Sequence, residues 1–251
     1  MILLIALASC RSPDPVPDDL SEPLVWLLGH LDGDEDEVAA RADHVDAYIR
    51  GLPGDGPVED RRFVPDTPDD AQLDRLPVPG AAGDLVGAAV VRRSAHDWDE
   101  HLELVAATPR PCLEGPGWTT WDRFISDGAC LPEGACDDAL AEDSAAGAWS
   151  ASPVAARTQL RTLTLPDDRE ALVSRTWLQA PAADLDARYG VDLLVRDPFD
   201  ARRTWRVGAR WVRLLGGEAT DVEARLLDEL DLGPAAAETW LDGPAGCLEE
   251  G

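Results

Sequence analysis

The sequence predicts an α+β protein in which N-terminal helices precede an antiparallel sheet that packs against a C-terminal helix. Three observations carry this prediction. Apolar residues recur at helical spacing in residues 22–52. Between Leu163 and Trp211 they recur at alternate positions, which is typical of antiparallel strands with one buried face. A helical pattern returns after Thr220, so one further helix follows the sheet.

Residues 22–52 predict two helices. The first is strongly apolar, and the second begins with the acidic residues Asp34–Glu37, which stabilise a helix N-terminus. Gly51 and Pro53 end the second helix. Residues 53–83 contain six prolines and four glycines, and this composition predicts a linker with one turn of helix after Thr67-Pro68.

The next segment predicts one strand, one helix and a long irregular region. Leu85–Val91 is a continuous apolar run of strand length. Ser94 is a candidate N-cap for a helix that ends at Pro109. Residues 111–156 carry several tryptophans and most of the cysteines without a clear period, and we expect loops there.

The antiparallel meander is predicted from three strands joined by short turns. Ala171–Leu178 forms the first run, while Tyr189–Val195 and Trp205–Trp211 alternate apolar with polar or small residues. A capping box that begins at Thr220 then starts the last helix, and Gly233-Pro234 ends it.

This element order, over residues 84–242, resembles the START/polyketide-cyclase-like helix-grip fold. The resemblance implies that the final helix closes over a curved sheet around a cavity. The middle and C-terminal thirds of the chain are also similar to predicted lipoproteins of GC-rich Gram-negative bacteria. That family has no assigned activity, so it implies no site residues.

The order of the first residues predicts a processing signal, and the alternative is that Met1–Leu7 is a short buried strand. A short apolar run ends in Leu7-Ala8-Ser9-Cys10, which resembles the lipobox of bacterial lipoproteins. The resemblance implies cleavage before Cys10 and attachment of acyl chains to that residue, and two or more chains give stable anchoring. Arg11 replaces the aspartate of the familiar inner-membrane retention signal, which favours the outer membrane over the inner one.

The chain therefore divides into four predicted parts. A signal peptide (1–9) precedes a proline-rich, acidic tether (10–21) that holds the protein off a membrane. A helical N-terminal segment with its Pro/Gly linker (22–83) comes next, and an α+β domain (84–251) completes the chain.

The remaining cysteines predict disulfide bonds. Without Cys10 the count is even, and an exported protein meets an oxidising compartment. Four cysteines allow three pairings, of which we favour Cys130 with Cys136 and Cys112 with Cys247. Free buried thiols are the main alternative, and a zinc site is less favoured because no C-x₂-C pair is present.

The charge of the chain excludes one class of partner. Acidic residues outnumber basic ones by 49 to 22, every basic residue is arginine, and the formal net charge is -27. Such a surface repels phosphate backbones, so we do not expect nucleic acid binding. Anionic lipids repel it equally, so membrane attachment requires the lipid on Cys10.

No catalytic or metal-binding motif is found, and no cofactor is implied. Residues 32–43 begin like a calcium loop but lack its glycine and its final glutamate. His96 and His101 are five residues apart, whereas a helical zinc pair is four apart. We therefore interpret all four histidines as surface or rim residues. The G-x-S-x-G motif of serine hydrolases is absent as well.

The chain contains nine tryptophans but only three phenylalanines and two tyrosines. The favoured interpretation is that they fill a core of otherwise small aliphatic residues. The alternative is that some line a pocket for an apolar or ring-bearing ligand, and Trp177, Trp205 and Trp211 are the candidates.

The expected function is a membrane-anchored lipoprotein with a non-catalytic domain that binds an apolar ligand or a protein partner. Two alternatives remain, namely an envelope hydrolase with dispersed catalytic residues and a structural spacer. A cavity lined by apolar residues would favour ligand binding, whereas inward-facing carboxylates or a histidine–acid pair would favour an enzyme.

Replacement of Cys10 by serine tests the predicted anchor. We expect the wild-type protein in the membrane fraction and Cys10→Ser in the soluble fraction, because serine cannot accept the thioether-linked lipid. Fractionation followed by immunoblotting measures the distribution. Recovery of both proteins in the soluble fraction would contradict the lipoprotein interpretation.

Overall fold

One antiparallel sheet organises the protein. The computed structural model describes residues 20–51, 61–78, 80–107, 118–126, 130–132, 138–147, 149–181, 185–216 and 219–243. The helices are α1 (Ser21–His30), α2 (Glu35–Arg50), α3 (Asp70–Leu73), α4 (Trp98–Ala106) and α5 (Ala219–Asp242). The strands are β1 (Arg61–Phe63), β2 (Val86–Ser94), β3 (Trp118–Ile125), β4 (Asp138–Gly147), β5 (Ser150–Thr164), β6 (Glu170–Leu178), β7 (Leu185–Arg196) and β8 (Thr204–Leu214).

The eight strands of the described residues lie in the order β1-β2-β8-β7-β6-β5-β4-β3. Strands β3 to β8 follow one another as a meander, and β2 pairs with β8 on the side away from β7. All neighbouring strands are antiparallel. Helix α5 packs against β2 and β8. The predicted class, an α+β fold with N-terminal helices, an antiparallel sheet and a C-terminal helix, is confirmed.

Successive side chains of a strand point to opposite faces, and in this sheet both faces are covered. On β8, Trp205, Val207, Ala209 and Trp211 belong to one hydrophobic cluster with residues of α1 and α2. We call this side the helix-layer face. We call the opposite side, where Arg206 and the other even-numbered residues of β8 lie, the cavity face, because a cavity described below lies on it. The sequence predicts strands that are buried on one face only. The central strands are instead buried on both faces, because the N-terminal helices cover the second one.

Two arginines, one buried and one partly exposed, attach α1 to the helix-layer face. Arg175 is 1% exposed, and its guanidinium donates a hydrogen bond to the backbone carbonyl of Leu28 at 3.2 Å. Arg161 donates to the carbonyls of Leu31 and Gly33 at 3.0 and 2.9 Å. The last carbonyls of a helix lack partners within the helix and carry partial negative charge. The two cations therefore satisfy these carbonyls and fix the position of the N-terminal layer.

The start of α2 agrees with the sequence prediction, whereas the start of α4 does not. The Asp34 carboxylate accepts hydrogen bonds from the backbone N–H groups of Asp36 and Glu37. Ser94, the predicted cap of α4, is instead the last residue of β2. Asp97 caps α4 through a capping box. The sheet pairing of β2 therefore extends three residues closer to the helix than the apolar run indicated.

The prediction of loops in residues 111–156 is wrong for β3, β4 and the first part of β5. Strand β4 is rich in alanine and acidic residues, which are weak strand formers. Pairing with β5 along almost its whole length holds β4 in the sheet. These hydrogen bonds are made with another segment of the chain, so the sequence of β4 shows no apolar periodicity that would predict a strand.

The one-turn helix predicted after Pro68 is confirmed as α3.

The predicted end of the last helix is also wrong, because α5 continues through Gly233-Pro234 to Asp242. An internal proline removes one helical hydrogen bond, which normally ends or bends a helix. Beyond it, Ala237 and Leu241 pack with Leu104 of α4. Tertiary packing of the last turns offsets the local cost.

None of the helices in the described ranges is both long and apolar enough to cross a membrane.

Replacement of Asp46 should destabilise the fold strongly. Asp46 of α2 is fully buried and binds both terminal nitrogens of Arg169, which precedes β6, as well as Arg50 Nε at 2.9 Å. Removing one partner of such a group leaves buried charge uncompensated, and we expect Asp46→Ala to lower the free energy of unfolding by about 3 kcal/mol. Urea denaturation measures this.

Asp43→Ala is the matched control on the same helix. Asp43 contacts Arg50 at 3.2 Å, and its side chain is 30% exposed. We expect a loss below about 1 kcal/mol, as for other exposed ion pairs. Equal losses for the two variants would contradict the assignment of Asp46 as the anchor between α2 and the sheet.

Candidate functional site

A cavity of about 210 Å³ lies between the cavity face of the sheet and the helices α4 and α5. Strands β4 to β8 form its floor, because their side chains on this face point away from the N-terminal helices. The two helices contribute the opposite wall. Its lining consists of His101, Leu104, Val105, Asp143, Val154, Ala156, Thr158, Leu160, Leu172, Ser174, Thr176, Leu178, Arg188, Asp192, Leu194, Arg206, Arg210, Gly233 and Ala237.

Most apolar lining residues of the sheet lie on β5 and β6, whereas most charged ones lie on β7 and β8. The strands β5 and β6 contribute aliphatic and hydroxyl side chains, β7 and β8 contribute arginines, Asp192 and Leu194, and β4 contributes Asp143. Leu104 and Val105 of α4 extend the apolar part. The side formed by β7 and β8 therefore carries most of the charge, and the side formed by β5 and β6 is mainly apolar. This division suits a mainly apolar ligand with a polar group at one end.

Asp192 of β7 is the centre of the charged side. Its carboxylate accepts hydrogen bonds from Arg206 at 2.8 Å and from Arg210 at 2.6 Å, both on the adjacent β8. Burial alone would raise the pKa of Asp192, but the two guanidinium groups outweigh burial and lower it from 3.8 to about 2. Asp192 therefore stays ionised, and it is a poor base at neutral pH.

Glu229 joins α5 to this charged group. Trp149 donates its indole N–H to Glu229 at 2.6 Å, and Arg188 donates a further hydrogen bond to the same carboxylate. Arg210 Nε lies 3.8 Å from it. The guanidinium of Arg225 lies over the Trp149 ring, 4.4 Å from its centroid. Because one carboxylate contacts two strands and the turn before β5, it sets the position of α5 above the cavity.

His101 of α4 lines the cavity and is 5% exposed, so the prediction that all four histidines are surface or rim residues is wrong for this one. Its Nε2 has no hydrogen-bond partner within the described residues. Burial lowers the pKa of His101 from 6.5 to about 4, and the positive charge of Arg206 acts in the same direction. The imidazole is therefore neutral at physiological pH. Helical periodicity failed to place it because α4 has packing partners on two sides.

The three tryptophans considered as pocket residues lie elsewhere. Trp177, Trp205 and Trp211 are at most 2% exposed, and all belong to the cluster on the helix-layer face. None of them lines the cavity. Their position agrees with the alternative that the sequence favoured, in which tryptophans fill the core. The odd-numbered positions that they share on β6 and β8 point away from the even-numbered cavity residues.

The cysteine predictions are only partly within the described residues. Cys130 is disulfide-bonded. Cys136, Cys112, Cys247 and the lipidation candidate Cys10 lie outside the described residues. The pairing of Cys130 with Cys136 and the lipid on Cys10 therefore stay predictions.

Sequence reasoning did not identify the charged cavity residues as a site. Asp192, Arg206 and Arg210 occupy the polar positions of the alternating strands, which usually face solvent. The available signal was the amphipathic helix after the meander, since a helix that covers this face would bury those positions.

The described part of the chain contains no cluster of three or more histidine, cysteine or acidic side chains arranged to hold a metal ion.

No protein-family model matches the chain, and no curated protein matches it. Solved structures that are similar to it include the following three. A STAR-related lipid transfer protein from Xanthomonas axonopodis is 11% identical over 66% of this chain and 92% of that chain, with a TM-score of 0.48. A START superfamily protein from Mycobacterium smegmatis is 10% identical over 63% and 97%, with a TM-score of 0.39. The Zhui aromatase/cyclase from Streptomyces sp. R1128 is 12% identical over 64% and 94%, with a TM-score of 0.40.

The pKa of His101 predicts a pH dependence of stability. Since the folded-state pKa of about 4 lies below the ordinary value of 6.5, the unfolded chain gains a proton that the folded chain does not. The free energy of unfolding should therefore fall as the pH drops from 6.5 to 4, by about 3 kcal/mol from this residue. We expect His101→Gln to lose this part of the pH dependence in urea denaturation.

His44→Gln is the control, because His44 is an exposed residue of α2. This variant should keep the pH dependence of the wild-type protein. If His101→Gln keeps it as well, His101 is not buried as a neutral imidazole.

Proposed function

We propose that this protein is a lipid-anchored lipoprotein of the cell envelope whose α+β domain binds a small, mainly apolar ligand without catalysing a reaction. The observation that carries the proposal is the cavity between the sheet, α4 and α5. A protein built only as a spacer has no need of such a space, and close packing of the interior would normally fill it. The cavity thus favours a ligand over a spacer.

The size of the cavity limits the ligand. An apolar cavity of about 150 Å³ accommodates benzene. The cavity of about 210 Å³ has room for a somewhat larger molecule, such as one with two fused rings. The leucines at positions 160, 172, 178 and 194 offer apolar contacts to it. Burial of such a ligand contributes about 25 cal/mol for each Å² of apolar surface removed from water.

The enzyme alternative has one observation in its favour, since His101 lines the same cavity as Asp143 and Asp192. The protonation states oppose it. Asp192, with a pKa of about 2, is committed to two arginines, and His101, with a pKa of about 4, accepts a proton only weakly at neutral pH. We therefore propose binding as the function and treat hydrolysis as the second candidate.

The proposed anchor and the proposed ligand suit one another. The lipobox-like Leu7-Ala8-Ser9-Cys10 and the acidic tether would hold the domain close to a membrane. At that place the domain can exchange apolar molecules that are poorly soluble in water. A second protein of the envelope is an alternative partner of the same anchored domain.

Filling the cavity tests the proposal. Ala156 of β5 lines the cavity, so we expect Ala156→Phe to occupy it and to weaken binding of 2-naphthol at least about tenfold. Isothermal titration calorimetry measures the affinity, and circular dichroism verifies the fold. Saturable binding with a Kd below about 1 mM is expected for the wild-type protein. Its absence would contradict the proposed function.

Ala155→Phe is the matched control, because Ala155 is the preceding residue of the same strand and is exposed on the opposite face. This variant should bind 2-naphthol like the wild-type protein. Equal binding by both folded variants would place the ligand outside this cavity.

A further inference from the structure

The charges around the cavity are matched in number. Three guanidinium groups line it, those of Arg188, Arg206 and Arg210. Three carboxylates face them: Asp143 and Asp192 in the lining, and Glu229 directly behind it. The formal charge of this group is therefore zero.

Each arginine of the group already has an acidic partner. Arg206 and Arg210 share Asp192, as described above, and Arg188 binds Glu229. Arg210 also donates to the backbone carbonyls of Val191 and Ala209, so most of its donors are occupied. An anionic ligand would have to displace one of these carboxylates or remain without a counter-charge.

Both outcomes are costly in a buried site. A carboxylate displaced from its arginines stays in the low-dielectric interior, where an unpaired charge is strongly unfavourable. An anionic ligand that leaves the arginine–carboxylate pairs intact is itself an unpaired buried charge, and it carries the same free-energy cost. The net charge of -27 on the whole chain adds long-range repulsion of anions. A cationic ligand gains from that field but finds each lining carboxylate held by a neighbour: Asp192 by two arginines and Asp143 by the Thr158 hydroxyl at 3.3 Å.

We propose that the cavity selects neutral ligands and that Asp192 sets this selectivity by neutralising Arg206 and Arg210. This inference rests on the proposed function and adds the chemical class of the ligand. It also assigns a role to Asp192, whose buried charge costs desolvation free energy. Neutral molecules that carry a hydroxyl or carbonyl group fit the site, whereas fatty acids and other carboxylates do not.

Three probes of one size separate the effect of charge from that of shape. These are 2-naphthol, 2-naphthoate and 2-naphthylmethylammonium, which are neutral, anionic and cationic at pH 7. For the wild-type protein we expect 2-naphthoate to bind at least about 30-fold more weakly than 2-naphthol by calorimetry. We expect the ammonium compound to bind at least about tenfold more weakly.

Two variants should shift the preference in opposite directions. Asp192→Asn leaves Arg206 and Arg210 in excess, and 2-naphthoate should then bind at least about tenfold more tightly than it does to the wild-type protein. Arg206→Gln leaves a carboxylate in excess and should improve binding of the ammonium compound. Arg206 is partly exposed, so the second variant keeps the test available if Asp192→Asn fails to fold.

The pair of Asp186 and Arg213 provides matched controls. These residues also lie on β7 and β8 and are joined at 2.5 Å, but neither lines the cavity. Asp186→Asn and Arg213→Gln should bind all three probes like the wild-type protein.

The outcomes separate the two proposals. Absence of binding by every probe would contradict the proposed function itself. Binding of 2-naphthoate as tightly as 2-naphthol would overturn the charge selectivity and leave the binding function standing. An unchanged preference in both folded cavity variants would show that Asp192 does not set the selectivity.

Discussion

Each central strand of this protein must serve two buried faces at once. Side chains alternate along a strand, so the odd-numbered residues of β8 pack among the N-terminal helices, while its even-numbered residues face the cavity under α4 and α5. In the centre of the strand the first set, Trp205, Val207, Ala209 and Trp211, is apolar. The second set carries the charges of Arg206 and Arg210. A shift of one residue in pairing would exchange the two sets and place arginines in the apolar core.

Burial of charge is tolerated here because almost every such group meets a partner of opposite charge or a helix end. Arg175 and Arg161 bind the terminal carbonyls of α1 on one face. Asp192 and Glu229 bind the arginines on the other. Arginine suits both tasks, since its planar fork of donors can bind carboxylates and carbonyls simultaneously. The apolar cluster around the tryptophans then supplies the stabilisation that offsets desolvation of these ions.

The cavity depends on the same arrangement. Glu229 sits at the middle of α5 and fixes its height above the sheet through Arg188 and Trp149. On the far side of Gly233-Pro234, the helix is held by a small contact of Ala237 and Leu241 with Leu104. The first half of α5 also packs Val222, Leu226 and Leu230 against the sheet, and in the second half Glu238 accepts a hydrogen bond from the backbone N–H of Ala95. The buried tryptophans of β6 and β8, in contrast, are directed to the opposite face of the sheet and do not fill this space.

The sequence by itself determined the class of fold, the alternation along β7 and β8, the acidic start of α2 and the order of meander and final helix. These features are local, since they follow from the spacing of apolar residues and from the chemistry of helix ends. Period two also assigned Trp205 and Trp211 to one face and Arg206 to the other. It could not say what covers each face, and polar positions were therefore interpreted as exposed. Tertiary structure decided that α1 and α2 cover the helix-layer face, that Asp192 binds two arginines across the strand pair, and that the alanine-rich β4 joins the sheet. All three depend on contacts between residues far apart in the chain, whose energies no local pattern records.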